Sequence, residues 1–161
     1  STVPIDLDAP DGDALWPVNV DPGQLDAVLW GLLANATEAM ASTGRIVVRL
    51  RNVGGSTLPP TDVGVGSDWV EIAVIDTGHG MNPEVRRRAI EPFFTTRAEI
   101  DRHQGVGLSL AHGFAVQSGG YLLVESREGQ GTTVRLRLPR PQVSVTDAAP
   151  LAALAPRVVL V

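Results

Sequence analysis

The strongest constraint on this chain is a helical stripe set between strand patterns. From Gln24 to Met40 the apolar residues Leu25, Val28, Leu29, Leu32, Leu33, Ala36 and Met40 recur in steps of three and four. That is the period of one face of an α-helix. Asp21-Pro22 places a capping carboxylate and a first-turn proline ahead of it. Val106–Ser118 reads as a second long helix, stopped by Gly119-Gly120. Between and around these helices lie runs with strand period. Val3, Ile5 and Leu7 alternate with polar residues, and Leu15–Val20 reads as a further short strand after a turn at Pro10–Asp13. Arg45–Arg51 alternates, Val70–Ile75 is almost wholly apolar, and Tyr121–Ser126 and Thr132–Leu138 flank a turn around Glu128–Gly131. Pro83–Ile90 fits a short helix, and residues 52–68 are rich in Gly, Pro and Ser and read as a loop. The expected fold is α/β: a two-layer α/β sandwich, with a mixed sheet and helices on one face.

At 161 residues, 43% hydrophobic and 19% charged, the chain has the size and composition of one folded domain. No apolar run approaches the ~20 residues of a membrane-spanning helix, and the acidic N-terminus lacks a signal-peptide pattern. The expectation from composition is a soluble single domain, with nothing said of redox compartment. The absence of cysteine excludes disulfide scaffolds, thiolate metal sites and cysteine nucleophiles. A net charge of −5 speaks against nucleic acid as partner. All 13 basic residues are Arg. Cationic contacts to a phosphate must therefore come from Arg or from backbone N–H groups. After Arg140 the composition shifts. Residues 1–140 read as the folded domain, 141–156 as an Ala- and Pro-rich linker, and 157–161 as the first strand of something further.

Four short segments carry the chemistry. Asn35-Ala36-Thr37-Glu38-Ala39 lies in the first long helix. Asn35 sits at the border of its apolar face, where a carboxamide can offer oxygen to a hard cation or simply hydrogen-bond within the protein. Asp76-Thr77-Gly78-His79-Gly80-Met81 follows a buried strand. A carboxylate there can accept from an adenine amino group, with glycines permitting close backbone approach, although ordinary turns share the pattern. Glu91-Pro92-Phe93-Phe94-Thr95-Thr96-Arg97 precedes a stretch without clear period. Its aromatics suit an anchor for a mobile segment, and Thr95, Thr96 and Arg97 could meet phosphate; a hydrophobic plug under a loop is the plain alternative. Gln104-Gly105-Val106-Gly107-Leu108 opens the second long helix, whose free N–H groups and positive dipole end suit an anion. No Gly-Lys-Ser/Thr follows, so it is not a Walker loop.

Taken in this order, the segments resemble the catalytic ATP-binding domain of sensor histidine kinases, within the Bergerat-fold superfamily that also holds gyrase and mismatch-repair ATPases. Asn35 falls in that family's N box, Asp76–Met81 in its G1 box, Glu91–Arg97 in its F box and Gly105–Leu108 in its G2 box. Gly129-Gln130-Gly131-Thr132-Thr133 is similar to its last shared turn. Glu91-Pro-Phe-Phe-Thr-Thr and Gln117-Ser-Gly-Gly are most like the nitrogen-regulation and hybrid subgroup. The resemblance covers Val3 to Arg140.

It implies a Bergerat ATP-binding fold with residues 91–104 as an ATP lid. Asp76 would read the adenine amino group with Thr132 beside it, and Gly78 and Gly80 would line the base. Asn35 would hold Mg²⁺ against the phosphates. Gly105, Val106, Gly107 and Leu108 would bind the triphosphate, with Thr95 and Thr96 available to phosphate and Arg97 or Arg102 meeting the γ-phosphate. The cofactors implied are ATP and Mg²⁺. The nucleophile would be a histidine on a separate dimerisation domain of the same parent, and the downstream partner a receiver domain or response regulator. The stub at 157–161 resembles the first strand of a receiver domain. Two departures stand out. Gly31 occupies the position where these kinases usually carry a second Asn and the hydrolysing relatives a Glu base. None of His79, His103 and His112 lies in a helical pair that could serve as phosphoacceptor. The rivals are a hydrolysing Bergerat ATPase, a degenerate partner-binding domain, and an anti-sigma-factor serine kinase.

Overall fold

The computed structural model describes residues 2–10, 14–58, 64–89 and 107–142, and the backbone of 158–160. Among the described residues nine α-helices and strands follow in chain order: β1 (Ile5–Asp8), α1 (Pro22–Glu38), β2 (Ile46–Val53), β3 (Trp69–Asp76), α2 (Pro83–Arg88), α3 (Gly107–Gln117), β4 (Tyr121–Arg127), β5 (Gly131–Pro139) and β6 (Val158–Leu160). The strands form one sheet in the order β1-β2-β3-β5-β4-β6. The central pairings β2/β3, β3/β5 and β5/β4 are antiparallel. The outer ones, β1/β2 and β4/β6, are parallel. The sheet is thus mixed, as expected.

The helices start where the sequence says they should. Asp21 accepts the Gln24 N–H at 2.9 Å ahead of Pro22. Asn82 caps α2 through the Val85 N–H, also at 2.9 Å. A side-chain acceptor at this position satisfies one of the N–H groups that a helix start leaves unpaired. Both α1 and α3 lie on one face of the sheet. Val28, Leu32 and Ala36 of α1 and Leu108, Ala111, Phe114 and Ala115 of α3 close over Ile72, Val74, Leu122, Val124, Val134, Leu136 and Leu138. Because side chains alternate along a strand, these residues occupy one phase of β3, β4 and β5.

The opposite phase carries charge. Glu71 of β3 is only 1% exposed, and its carboxylate takes Arg137 Nε at 2.8 Å and Arg51 Nε at 2.9 Å. Arg137 also donates to the Tyr121 hydroxyl at 2.9 Å, and the Tyr121 ring meets Trp69 edge-on at 4.9 Å. Trp69 donates its indole N–H to the Gly64 carbonyl, so the loop after β2 covers this second small core. That loop begins later than the sequence suggests. β2 runs on to Val53, and a 3₁₀ turn spans Gly55–Thr57.

The expected strand at Leu15–Val20 is not one. Pro17 has no N–H to give a ladder, and β1 already occupies the free edge of β2. The segment is tied instead by a side chain: the Trp16 N–H donates to Asn52 Oδ1 at 2.9 Å, and Asn52 Nδ2 donates to the Ala14 carbonyl at 2.5 Å. The Arg140 guanidinium stacks over the Trp16 ring at 4.4 Å. The expected lid at 91–104 and most of the expected linker at 141–156 lie outside the described residues. At the chain's end β6 pairs with β4 of this same sheet.

Losing the Glu71 charge would leave the buried Arg137 uncompensated. Glu71→Gln is expected to cost about 3 kcal/mol in urea denaturation. Arg45→Ala, which breaks only the exposed pair with Asp6, should cost under ~1 kcal/mol. Equal losses would contradict this account of the second face.

Candidate functional site

Asp76 ends β3 on the same phase as Ile72 and Val74, so its side chain turns toward the helices rather than to solvent. It is 7% exposed. Its Oδ1 accepts the Gly78 N–H at 2.8 Å and the Thr132 N–H at 3.2 Å. Burial pushes the Asp76 carboxyl above its ordinary value; the two backbone donors and His79 offset only part of that. Among the described residues nothing donates to Oδ2. One carboxylate oxygen is therefore fixed by the protein, and the other takes no donor from the described residues.

The loop after Asp76 is glycine-bearing for internal reasons. A Cβ at Gly78 would meet Ala39 Cβ and its carbonyl oxygen at 2.7 Å, at the end of α1. Gly80 has a φ of 65°, and a Cβ there would lie 1.9 Å from the Arg127 carbonyl oxygen. The loop is thus wedged between the C-terminal end of α1 and the β4–β5 turn. Two backbone bonds hold it: the His79 N–H donates to Ala39 at 3.0 Å, and the Gly129 N–H to His79 at 2.7 Å. The close approach that these glycines permit within the structure is to the protein's own chain.

Ser126 was missed. Its hydroxyl accepts the Met81 N–H at 2.8 Å, donates to the Gly131 carbonyl at 3.1 Å and pairs with Thr132 Oγ1 at 2.8 Å. It joins the Asp76 loop to the β5 start that holds Thr132. The signal was present: Ser126 falls on the Leu122–Val124 phase of β4, a hydroxyl where the pattern calls for an apolar side chain.

Asn35 faces the start of α3. A Cβ on Gly107 would fall 2.5 Å from Asn35 Nδ2, so the carboxamide lies directly over the Gly107 backbone. Among the described residues the Asn35 side chain has no hydrogen-bond partner, and it is half-buried. Leu108, named above for its place in the phosphate loop, turns its side chain into the core and has only its backbone to offer. Thr95, Thr96, Arg97, Arg102, Gly105 and Val106 lie outside the described residues. The residues that are described form one connected frame. Thr132 touches Asp76, Gly78 packs on Ala39, and one turn back along α1 Asn35 stands over Gly107.

No group of His, Asp or Glu that could cage a metal exists among the described residues. A single carboxamide does not hold Mg²⁺ alone. It fits an ion that keeps its waters and is carried mainly by phosphate oxygens, the usual habit of Mg²⁺.

Residues 20–142 match the family model described as histidine kinase-, DNA gyrase B- and HSP90-like ATPase. The sensor kinase CckA of Brucella abortus is 39% identical over 153 residues, covering 92% of this chain and 16% of that protein. The sensor histidine kinase ZraS of Escherichia coli K12 is 34% identical over 127 residues, 79% of this chain and 24% of that protein. The chain therefore spans less than a quarter of either relative. Among solved structures, the mycobacterial sensor histidine kinase MprB superposes with a TM-score of 0.66 at 24% identity, over 87% of this chain and 86% of that one. A nucleotide-free catalytic domain of the histidine kinase ThkA gives 0.65 at 23% identity, over 86% and 79%. These last two likenesses establish the fold. No helix among the described residues is long and apolar enough to cross a membrane.

A raised native pKa means that the folded chain holds the Asp76 proton more tightly than the unfolded chain does. Ionised Asp76 therefore costs stability as pH rises from the ordinary carboxylate range through the raised value. Asp76→Asn keeps an acceptor for Gly78 and Thr132 and removes that cost. Its melting temperature is expected to equal or exceed the parent's at pH 7, and to lose the advantage below about pH 4. A clearly lower value at pH 7 would mean the charge itself holds the loop.

Proposed function

The chain belongs to the histidine kinase-, DNA gyrase B- and HSP90-like ATPases, and from that membership we propose that it binds Mg-ATP and presents the γ-phosphate to a histidine on a separate dimerisation domain. The observation that carries this reading is the frame just described. At one end stands a buried carboxylate whose second oxygen takes no donor from the described residues, and at the other a carboxamide over Gly107, likewise without a hydrogen-bond partner among them.

In this reading the free oxygen of Asp76 accepts the adenine amino group, with Thr132 beside it and the backbone of Gly78 and Gly80 lining the base. The N–H groups at Gly105, Val106, Gly107 and Leu108 face the phosphates, where a helix start favours negative charge. Thr95, Thr96 and Arg97 approach from the lid at 91–104. Asn35 gives one oxygen to Mg²⁺. When bound, that ion neutralises charge on the phosphate oxygens. The chain itself positions and shields the reacting phosphate and contributes no nucleophile. The bond from the γ-phosphorus to the bridging oxygen breaks, a bond to the imidazole nitrogen forms, ADP leaves, and the imidazole proton passes to solvent. Gly31 cannot activate water, which favours transfer over hydrolysis.

The partners proposed are the histidine-bearing dimerisation domain of the same parent protein and a receiver domain or response regulator downstream. Neither nucleic acid nor membrane contact enters the scheme, and its setting is the cytoplasm. Residues 1–140 would form the catalytic domain, 141–156 its linker, and 157–161 would lead toward the receiver.

Calorimetric titration of this chain with a non-hydrolysable ATP analogue tests the reading. Binding is expected, and it should strengthen with Mg²⁺. Asp76→Asn should abolish it. Asn35→Ala should weaken it mainly when Mg²⁺ is present; an equal loss in chelator would make Asn35 structural. No binding by the parent at millimolar analogue would favour a domain that has kept the fold and lost the nucleotide.

A further inference from the structure

Gly31, the departure from the resembled pattern that falls in α1, lies one helical turn before Asn35 and on the same side of the helix. Its neighbour across the helix interface is Gly107. A Cβ built on Gly31 would stand 3.2 Å from Gly107 Cα, and a Cβ on Gly107 would stand 2.8 Å from the Gly31 carbonyl oxygen. The two helices therefore meet glycine on glycine, backbone against backbone, at the first turn of α3. Gly107 also carries the Asn35 carboxamide directly above it. The spacing of α1 from α3 and the placement of Asn35 over the helix start are thus set at one contact.

We propose that Gly31 is a positioning residue: its missing side chain lets the N-terminus of α3 seat against α1, and so fixes the Asn35 carboxamide and the first-turn N–H groups in one geometry. This rests on the nucleotide-site reading above and deepens it. Gly31 then marks a site built for one carboxamide rather than a site that has lost one. A side chain here must push α3 outward by some tenths of an ångström, because its nearest neighbour is backbone and not the end of a flexible side chain. The displacement falls on the phosphate end. The adenine end stays where it is, since Asp76 is held by Gly78 and Thr132 and the loop is pinned to Ala39. Adding back the Asn that resembled kinases carry is expected to weaken Mg-nucleotide binding rather than improve it.

The test compares the parent chain with Gly31→Ala and Gly31→Asn. Two ligands are used: the non-hydrolysable ATP analogue with Mg²⁺, by calorimetry, and adenosine, by amide chemical-shift titration. Gly31→Ala should lose roughly tenfold in affinity for the Mg-analogue, and Gly31→Asn more. Adenosine affinity should stay within about twofold of the parent for Gly31→Ala, which a general loss of structure would not allow. Either variant matching or exceeding the parent on the Mg-analogue overturns the proposal. So does a parallel loss for adenosine in Gly31→Ala, which would make the glycine a packing requirement of the whole domain. A parent that binds neither ligand overturns the site reading itself, and this inference with it.

Discussion

Two backbone N–H groups meet on one oxygen of Asp76, and the arrangement of the site follows from that meeting. One donor, Gly78, belongs to the loop that leaves β3; the other, Thr132, belongs to the start of β5. The carboxylate therefore ties the end of the central strand to its neighbour and to the loop at once. Buried charge is expensive unless it is hydrogen-bonded, and here the bonds go to backbone that must be in place for the loop to close. The cost of burial is only partly met, as the raised pKa records. A ligand that donated to the remaining oxygen would complete the offset. Residual strain of this kind is common where a protein expects a partner.

From that point the geometry passes through backbone contacts rather than long side chains. Gly78 lies against Ala39 at the end of α1, Gly80 against Arg127, and Gly107 against Gly31 and Asn35. Each is a place where a methyl group would collide with main chain. Backbone contacts leave little room for adjustment, so Asp76 and Gly107 are held at a defined separation by the last two turns of α1. The helix is fixed in turn by Val28, Leu32 and Ala36 on the sheet. Packing on one face of the sheet thus positions Asp76 and Asn35 at one end of its central strands, while the Glu71–Arg137–Tyr121 cluster stiffens the other face.

Much of this was legible in the sequence, and the reasons for the exceptions are physical. The stripe Leu25 to Met40 and the alternation in β2, β4 and β5 are consequences of local period, which composition preserves. The order of the four segments pointed to the fold and to Asp76 and Asn35 as the side chains to watch. Leu15–Val20 misled because its period is that of a strand, whereas pairing is decided by which edge is free and by the N–H that Pro17 lacks. Ser126 escaped because a hydroxyl on a strand looks solvated until its neighbours are known. Gly78 and Gly80 also answer to neighbours that the sequence does not show, Ala39 and the Arg127 carbonyl, and only Gly80 needs a positive φ. Spacing along the chain shows that something comes close; it does not show what.

The central claim is that Asp76, beside the C-terminal end of α1, and Gly107, one to two turns back along the same helix, belong to one site. Backbone amide shifts of the labelled chain, followed while the Mg-bound ATP analogue is added, test it most directly. The account predicts that the amides of Gly78, Thr132 and Gly107 move together and fit a single dissociation constant. Shifts confined to one end, or two ends titrating with different constants, would contradict it.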